Sequence, residues 1–174
     1  MMSRLGRYLA VDWGERRIGL AASDPTGTIA SPAGHIVRRA GKRPPIAELI
    51  RRAEALDARG FVLGLPLDER GGETDRSREV RAAGAALEQR TGLPVLLVDE
   101  RYTTAIALRT VRELGGATRG RQGDVDSLAA TVLLQHAMRS AELTAERAVE
   151  SPADASHPLM RPAKGNAVDD DGVE

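Results

Sequence analysis

Three stretches of the chain place carboxylates where an apolar element meets solvent. Arg7-Tyr8-Leu9-Ala10-Val11-Asp12 reads as a buried strand that ends in an acid. Pro94-Val95-Leu96-Leu97-Val98 is a second apolar strand, and it delivers Asp99, Glu100 and Arg101 together. Asp124-Val125-Asp126 opens a helix whose continuation, Ser127 to Leu134, is largely apolar. In open α/β sheets, ligands gather at the carboxyl ends of the strands. If the first and the later strand run parallel, their acids share one sheet edge. Carboxylates gathered there repel one another unless cations bind between them. Two Mg²⁺ or Mn²⁺ ions roughly 3.5–4 Å apart are an apparatus for phosphodiester hydrolysis, one activating water and the other stabilising the leaving oxygen.

Each acid also has a plain structural reading. Asp12 can cap the turn into Gly14. Asp99-Glu100-Arg101 can be a surface turn before a helix capped by Thr103. Asp124 and Asp126 can serve the N-terminus of their helix. Asp99 and Glu100 alternate in direction, so one of them faces the site, and the pattern leaves the choice open.

Composition narrows the chemistry. The 174 residues include no cysteine, which excludes disulfides, thiolate zinc sites and a cysteine nucleophile. The three histidines, His35, His136 and His157, are scattered. A metal would therefore sit on oxygen ligands, which suits Mg²⁺ or Mn²⁺. Aromatic residues make up 2% of the chain, too few for a base-stacking platform. No apolar run is long enough to span a bilayer and no signal peptide opens the chain, so the expected location is cytoplasmic, with no membrane partner.

The net charge is zero, but residues 145–174 hold three basic and seven acidic side chains, leaving the preceding part basic. The cations are arginines except Lys42 and Lys164. Arg16 and Arg17 follow Asp12 closely, Arg101 follows Glu100, and Arg119 and Arg121 lie in a glycine-rich loop before Asp124. These five are the candidate contacts to a nucleic-acid backbone, which position a substrate without reading its sequence. Ordinary solvated arginine is the competing explanation.

The elements that must position these residues follow in order. Strands are expected at Arg7–Asp12, Ile18–Ser23 and about Ala33–Arg38, linked too tightly for parallel crossovers. A helix from Ile46 to Arg59, stopped by Gly60, leads into a strand at Phe61–Leu65. A helix from about Thr74 to Thr91 leads into the strand at Pro94–Val98. Helices are expected at about Thr103–Leu114 and Val125–Glu142. This order gives an α/β fold, a mixed sheet with helices on its faces. Residues 1–144 form one domain, and 145–174 read as a disordered acidic tail.

Tyr8 to Ala21, containing Val11-Asp12-Trp13-Gly14, resembles the opening motif of the YqgF/RuvX family. Gly64-Leu65-Pro66-Leu67, Asp99-Glu100-Arg101-Tyr102-Thr103-Thr104, and Val125-Asp126-Ser127-Leu128-Ala129-Ala130 with Leu133-Leu134-Gln135 resemble its other three, in order. Trp13 and Tyr102 stand where aliphatic residues are commoner, and Asp124 is an extra acid. The resemblance implies an RNase H-like fold with a five-stranded sheet in the order 3-2-1-4-5. It implies that Asp12, Glu100 and Asp126 are the catalytic and metal-binding triad, which selects Glu100 over Asp99, with Thr103 and Thr104 in support. The implied function is metal-dependent phosphodiester hydrolysis with two Mg²⁺ or Mn²⁺ ions. The implied substrate is the 5′ end of pre-16S rRNA in ribosome biogenesis or, alternatively, a Holliday junction in DNA recombination and repair. A four-way junction calls for a homodimer, whereas rRNA trimming needs only a monomer. A non-catalytic nucleic-acid-binding module is a further alternative. An ATP-binding lobe of the kinase or chaperone type, which also begins strand-Asp-x-Gly-strand, needs a second lobe that the chain lacks.

Overall fold

The computed structural model describes residues 6–38, 43–102 and 122–150, with side chains in the last segment described over 126–141. Its strands are β1 (Arg7–Trp13), β2 (Arg17–Ser23), β3 (Ala30–Val37), β4 (Ala58–Leu65) and β5 (Val95–Asp99). Its helices are α1 (Ile46–Ala55), α2 (Asp75–Thr91) and α3 (Gln122–Glu150), with a 3-10 turn at Glu100–Tyr102. The sheet order is β3-β2-β1-β4-β5, as the resemblance implies. β1, β2 and β3 are antiparallel neighbours, while β4 and β5 run parallel to β1. The carboxyl ends of β1, β4 and β5 therefore meet at one edge.

The two faces of the sheet differ in side-chain size. Leu9, Val11, Trp13, Ile18, Leu20, Phe61, Leu63 and Leu65 point to one face and pack with Leu49 of α1 and Val80 and Leu87 of α2. Tyr8, Ala10, Ala21 and Val62 point to the other, under Ala130, Leu133, Leu134, Ala137 and Met138 of α3. Small residues on that second face let α3 lie close to the strands. The alternation has period two, so Asp12 shares the α3 face with Tyr8 and Ala10.

Element boundaries depart from expectation where tertiary contacts intervene. α1 ends at Ala55, four residues early, because Asp57 adopts a left-handed φ of 49° that stops it. Gly60 is no helix cap. It lies inside β4, where an added Cβ would come within 2.9 Å of the Tyr8 ring. β3 starts at Ala30 rather than Ala33, since Pro32 pairs with Ala21 on an edge strand, where proline is tolerated. β5 begins one residue late, at Val95, and reaches Asp99. α3 runs from Gln122 to Glu150, past the expected end at Glu142, through a stretch in which Ala and Glu recur. The expected helix at 103–114 and the tail beyond Glu150 lie outside the described residues.

α2 begins with a reciprocal cap. Thr74 accepts from the Ser77 backbone N–H, and Ser77 Oγ accepts from the Thr74 N–H. Thr74 Oγ1 also donates to the Pro66 carbonyl at 2.8 Å, tying the helix start to the end of β4. Thr74→Ala loses both links and is expected to cost about 1 kcal/mol. A urea titration will show a lower midpoint with an unchanged slope.

Candidate active site

Asp12 pairs with Gly19 of β2 on one side, and Val11 pairs with Leu63 of β4, so Gly64 is its neighbour on the other. Both neighbours lack a side chain for a spatial reason. A Cβ on Gly19 would stand 1.9 Å from the Asp126 carbonyl oxygen, so only glycine lets the first turns of α3 rest on β2 beside Asp12. A Cβ on Gly64 would stand 2.0 Å from Glu100 Oε1, so the Glu100 side chain crosses β4 over this glycine. There it shares a hydrogen bond with Asp12.

The end of β5 separates Asp99, its last residue, from Glu100, which opens the 3-10 turn. Gly64 has the parity of Val62 and faces α3, so the Glu100 side chain lying over it is on the α3 side, reached from the 3-10 turn that follows β5. Asp99 is engaged by Arg101, whose Nη2 lies 2.6 Å from Asp99 Oδ2. The pairing holds the Asp99 carboxyl below its ordinary range. Glu100 thus stands with Asp12, and Asp99 does not.

Burial pushes the Glu100 carboxyl up to about 8, and the charge of Asp12 and the bond donated to it push the same way. Asp12 is also raised, chiefly by burial and further by the nearby charge of Asp126, against the hydrogen bond it receives from Glu100. Two half-buried acids here share a proton. Asp126 is close enough for its charge to act on Asp12. As they stand, no three His, Asp or Glu side chains among the described residues are placed to hold a metal ion together.

A pH prediction follows from these shifts. Glu100 is raised from an ordinary 4.5, so the folded protein keeps a proton that the unfolded chain has already released. That stability is fully present below about pH 4.5 and is lost as the pH rises towards 8. Metal-free protein is therefore expected to melt at progressively lower temperature from pH 5 to 8, a slope that shrinks in Glu100→Gln. The depressed carboxylates, Asp24, Glu48, Glu73 and Asp99, have the opposite sign and act at lower pH. Equal slopes for the two proteins in thermal melts would contradict the assignment.

The remaining candidates are distributed unevenly. Arg16 is exposed at the β1–β2 turn and Arg17 is partly buried in β2. Arg101 is occupied by Asp99. Arg119, Arg121, Thr103 and Thr104, and the side chain of Asp124, lie outside the described residues. Two contributors were not visible as functional residues in the sequence. Ser127 is buried, donates to the Leu20 carbonyl at 2.8 Å and accepts from the Gly34 N–H at 3.2 Å, which fixes the turn that carries Asp126. Arg76, in the first turn of α2, brings a positive charge felt by both Asp12 and Glu100. Glycine inside a strand was the available signal for Gly19 and Gly64.

A family profile described as "RuvX: Holliday junction resolvase" matches residues 6–140. This chain belongs to the RuvX family. A RuvX chain is a nuclease, a hydrolase acting on phosphodiester bonds. Similar proteins include one from Clavibacter michiganensis subsp. michiganensis, named "Putative pre-16S rRNA nuclease", 37% identical over 158 residues covering 91% of this chain and 95% of that protein. Proteins of the same name from Koribacter versatilis and Kineococcus radiotolerans are 40% and 41% identical, over 75% and 86% of this chain and 84% and 77% of their own. The fold is RNase H-like and similar to that of T. thermophilus RuvC, solved in complex with a Holliday junction substrate. The TM-score is 0.52 at 16% identity, over 80% of this chain and 97% of that one. Among the described residues, no helix is long and apolar enough to cross a membrane.

Proposed function

We propose that this RuvX-family nuclease depends on divalent metal, with Asp12, Glu100 and Asp126 as its catalytic and metal-holding groups, and that it processes the 5′ end of pre-16S rRNA. The observation that carries the metal reading is the Asp12–Glu100 pair. Both acids are held above their ordinary pKa at the carboxyl edge of the sheet, beside the charge of Asp126. Such a cluster is unfavourable without compensating charge. Its oxygen-only donor set suits hard ions. Mg²⁺ or Mn²⁺ ions bound by the three side chains would supply an activated water and neutralise charge on the leaving oxygen.

The chain's own part is to prearrange these donors. Gly64 gives Glu100 its path to Asp12, and Gly19 with Ser127 sets α3, and Asp126 on it, against β2. Deprotonating the Asp12–Glu100 pair readies it for a cation. The names of the similar curated proteins support pre-rRNA as substrate, and trimming one end needs a single site, hence a monomer. The family description supports a Holliday junction as the second reading, which would need a homodimer.

Purified protein with Mg²⁺ or Mn²⁺ should be offered both an RNA spanning the 5′ boundary of 16S rRNA and a synthetic four-way DNA junction. The expected result is a cut in the RNA alone. Cleavage of the junction alone overturns the substrate. Binding of either without cleavage under any metal overturns the mechanism in favour of a binding module.

A further inference from the structure

We infer that Arg76 grips a backbone phosphate of the nucleic acid beside the Asp12–Glu100 pair, and that Glu15 holds it ready until substrate arrives. This rests on the nuclease reading and adds to it a residue from an element outside the four motifs. Arg76 is the second residue of α2, and Thr74 Oγ1 ties the start of that helix to Pro66, just beyond the carboxyl end of β4. Its guanidinium meets the carboxylate of Glu15 at 2.5 Å. Glu15 lies in the β1–β2 turn, three residues beyond Asp12, and its side chain is 80% exposed. Arg76 thus bridges two loops at the edge where the acids converge, and its own side chain remains 38% exposed.

The partner makes this a resting place. An ion pair this open to water contributes little to stability, so exchanging Glu15 for a phosphate costs little. A phosphodiester offers the same two-oxygen face as a carboxylate, which a guanidinium binds in a fork. Two neighbouring cations are committed differently. Arg101 makes several bonds to Asp99, and Arg38 donates to the Gly14 carbonyl at 2.9 Å, pairs with Glu79 and lies over the Trp13 ring. The positive charge of Arg76 also opposes the effect of burial on both acids, which places it within electrostatic reach of them.

The alternative is a brace, in which Arg76 and Glu15 only hold α2 to the turn. Binding of the labelled 16S-boundary RNA separates the two, measured in an Asp12→Asn background with Mg²⁺ so that cleavage does not interfere. Arg76→Ala is expected to bind about tenfold more weakly. Its plot of log affinity against log salt should be shallower by about 0.7. Arg76→Lys should keep the salt slope and lose part of the affinity. Glu15→Gln should bind as tightly as the parent or more so. Equal weakening by Arg76→Ala and Glu15→Gln, or an unchanged salt slope in Arg76→Ala, overturns the inference. A parent that binds RNA indifferently to Arg76 sinks this inference alone, whereas a parent that binds neither the RNA nor the junction sinks the nucleic-acid reading with it.

Discussion

Asp12→Asn is expected to lower cleavage by about 10³-fold or more while leaving the fold intact and, without metal, at least as stable as the parent. The two effects have one origin. Asp12 sits between Glu100, with which it shares a hydrogen bond, and Asp126, whose charge raises its pKa. Asparagine keeps the size of the side chain and an oxygen to accept the bond from Glu100. It removes the charge that makes the cluster repel itself, so the metal-free fold loses a cost. The same charge is what a hard cation needs, and losing several kcal/mol of charge stabilisation at the reacting phosphate corresponds to about 10³-fold in rate. Single-turnover cleavage and thermal melts on the same two proteins check both halves. A variant that is inactive because it is unfolded contradicts the argument as surely as one that is active.

The two glycines flanking Asp12 are expected to fail in different ways when given a side chain. In Gly19→Ala the new Cβ meets a backbone oxygen, Asp126 O, at 1.9 Å. Backbone cannot swing aside, so α3 must lift from β2, straining the Ser127 bond to Leu20. The expected cost is about 3 kcal/mol or more, the upper range for an overpacked core, with activity falling as the structure loosens. In Gly64→Ala the new Cβ meets the far end of a flexible side chain, Glu100 Oε1, at 2.0 Å. Glu100 can rotate away at small cost in stability, but its bond to Asp12 is lost. Gly64→Ala should therefore melt within a few degrees of the parent, yet cleave about 10²-fold more slowly. Urea denaturation and cleavage rates measured together distinguish the two. Equal stability losses at both positions would show that Glu100 is not free to move.

Much of this arrangement was legible in the residue pattern, and the exceptions share a cause. β1, β2 and the start of α2 stand out because Val11-Asp12, Gly14 and Thr74-Asp75-Arg76-Ser77 are local signals. The early end of α1 was missed because Asp57 takes a left-handed φ that a sequence window assigns to Gly60 instead. Gly60 answers to the ring of Tyr8, a contact across more than fifty residues. Pro32 hid the start of β3, since only its edge position permits it there. At the site, alternation along β5 leaves Asp99 and Glu100 as equal alternatives. The resemblance to RuvX motifs selects Glu100, and the path of its side chain over Gly64 to Asp12 supplies the physical reason. Arg76 and Ser127 carry no local signal because their partners, Glu15 and Leu20, lie far away along the chain.

Binding of Mn²⁺ followed by calorimetry, with cleavage assayed alongside, addresses the central question of whether three carboxylates form one metal site. The parent protein should bind Mn²⁺ at neutral pH, release protons as it does so, and lose all cleavage in excess chelator. Asp12→Asn, Glu100→Gln and Asp126→Asn should each weaken Mn²⁺ binding at least about tenfold and lose cleavage in step. The Asp126 variant is the most demanding of the three, because Asp126 approaches the pair without completing a metal cage. Cleavage that survives chelation, or an Asp126→Asn protein that binds Mn²⁺ and cuts like the parent, would contradict a three-carboxylate metal centre.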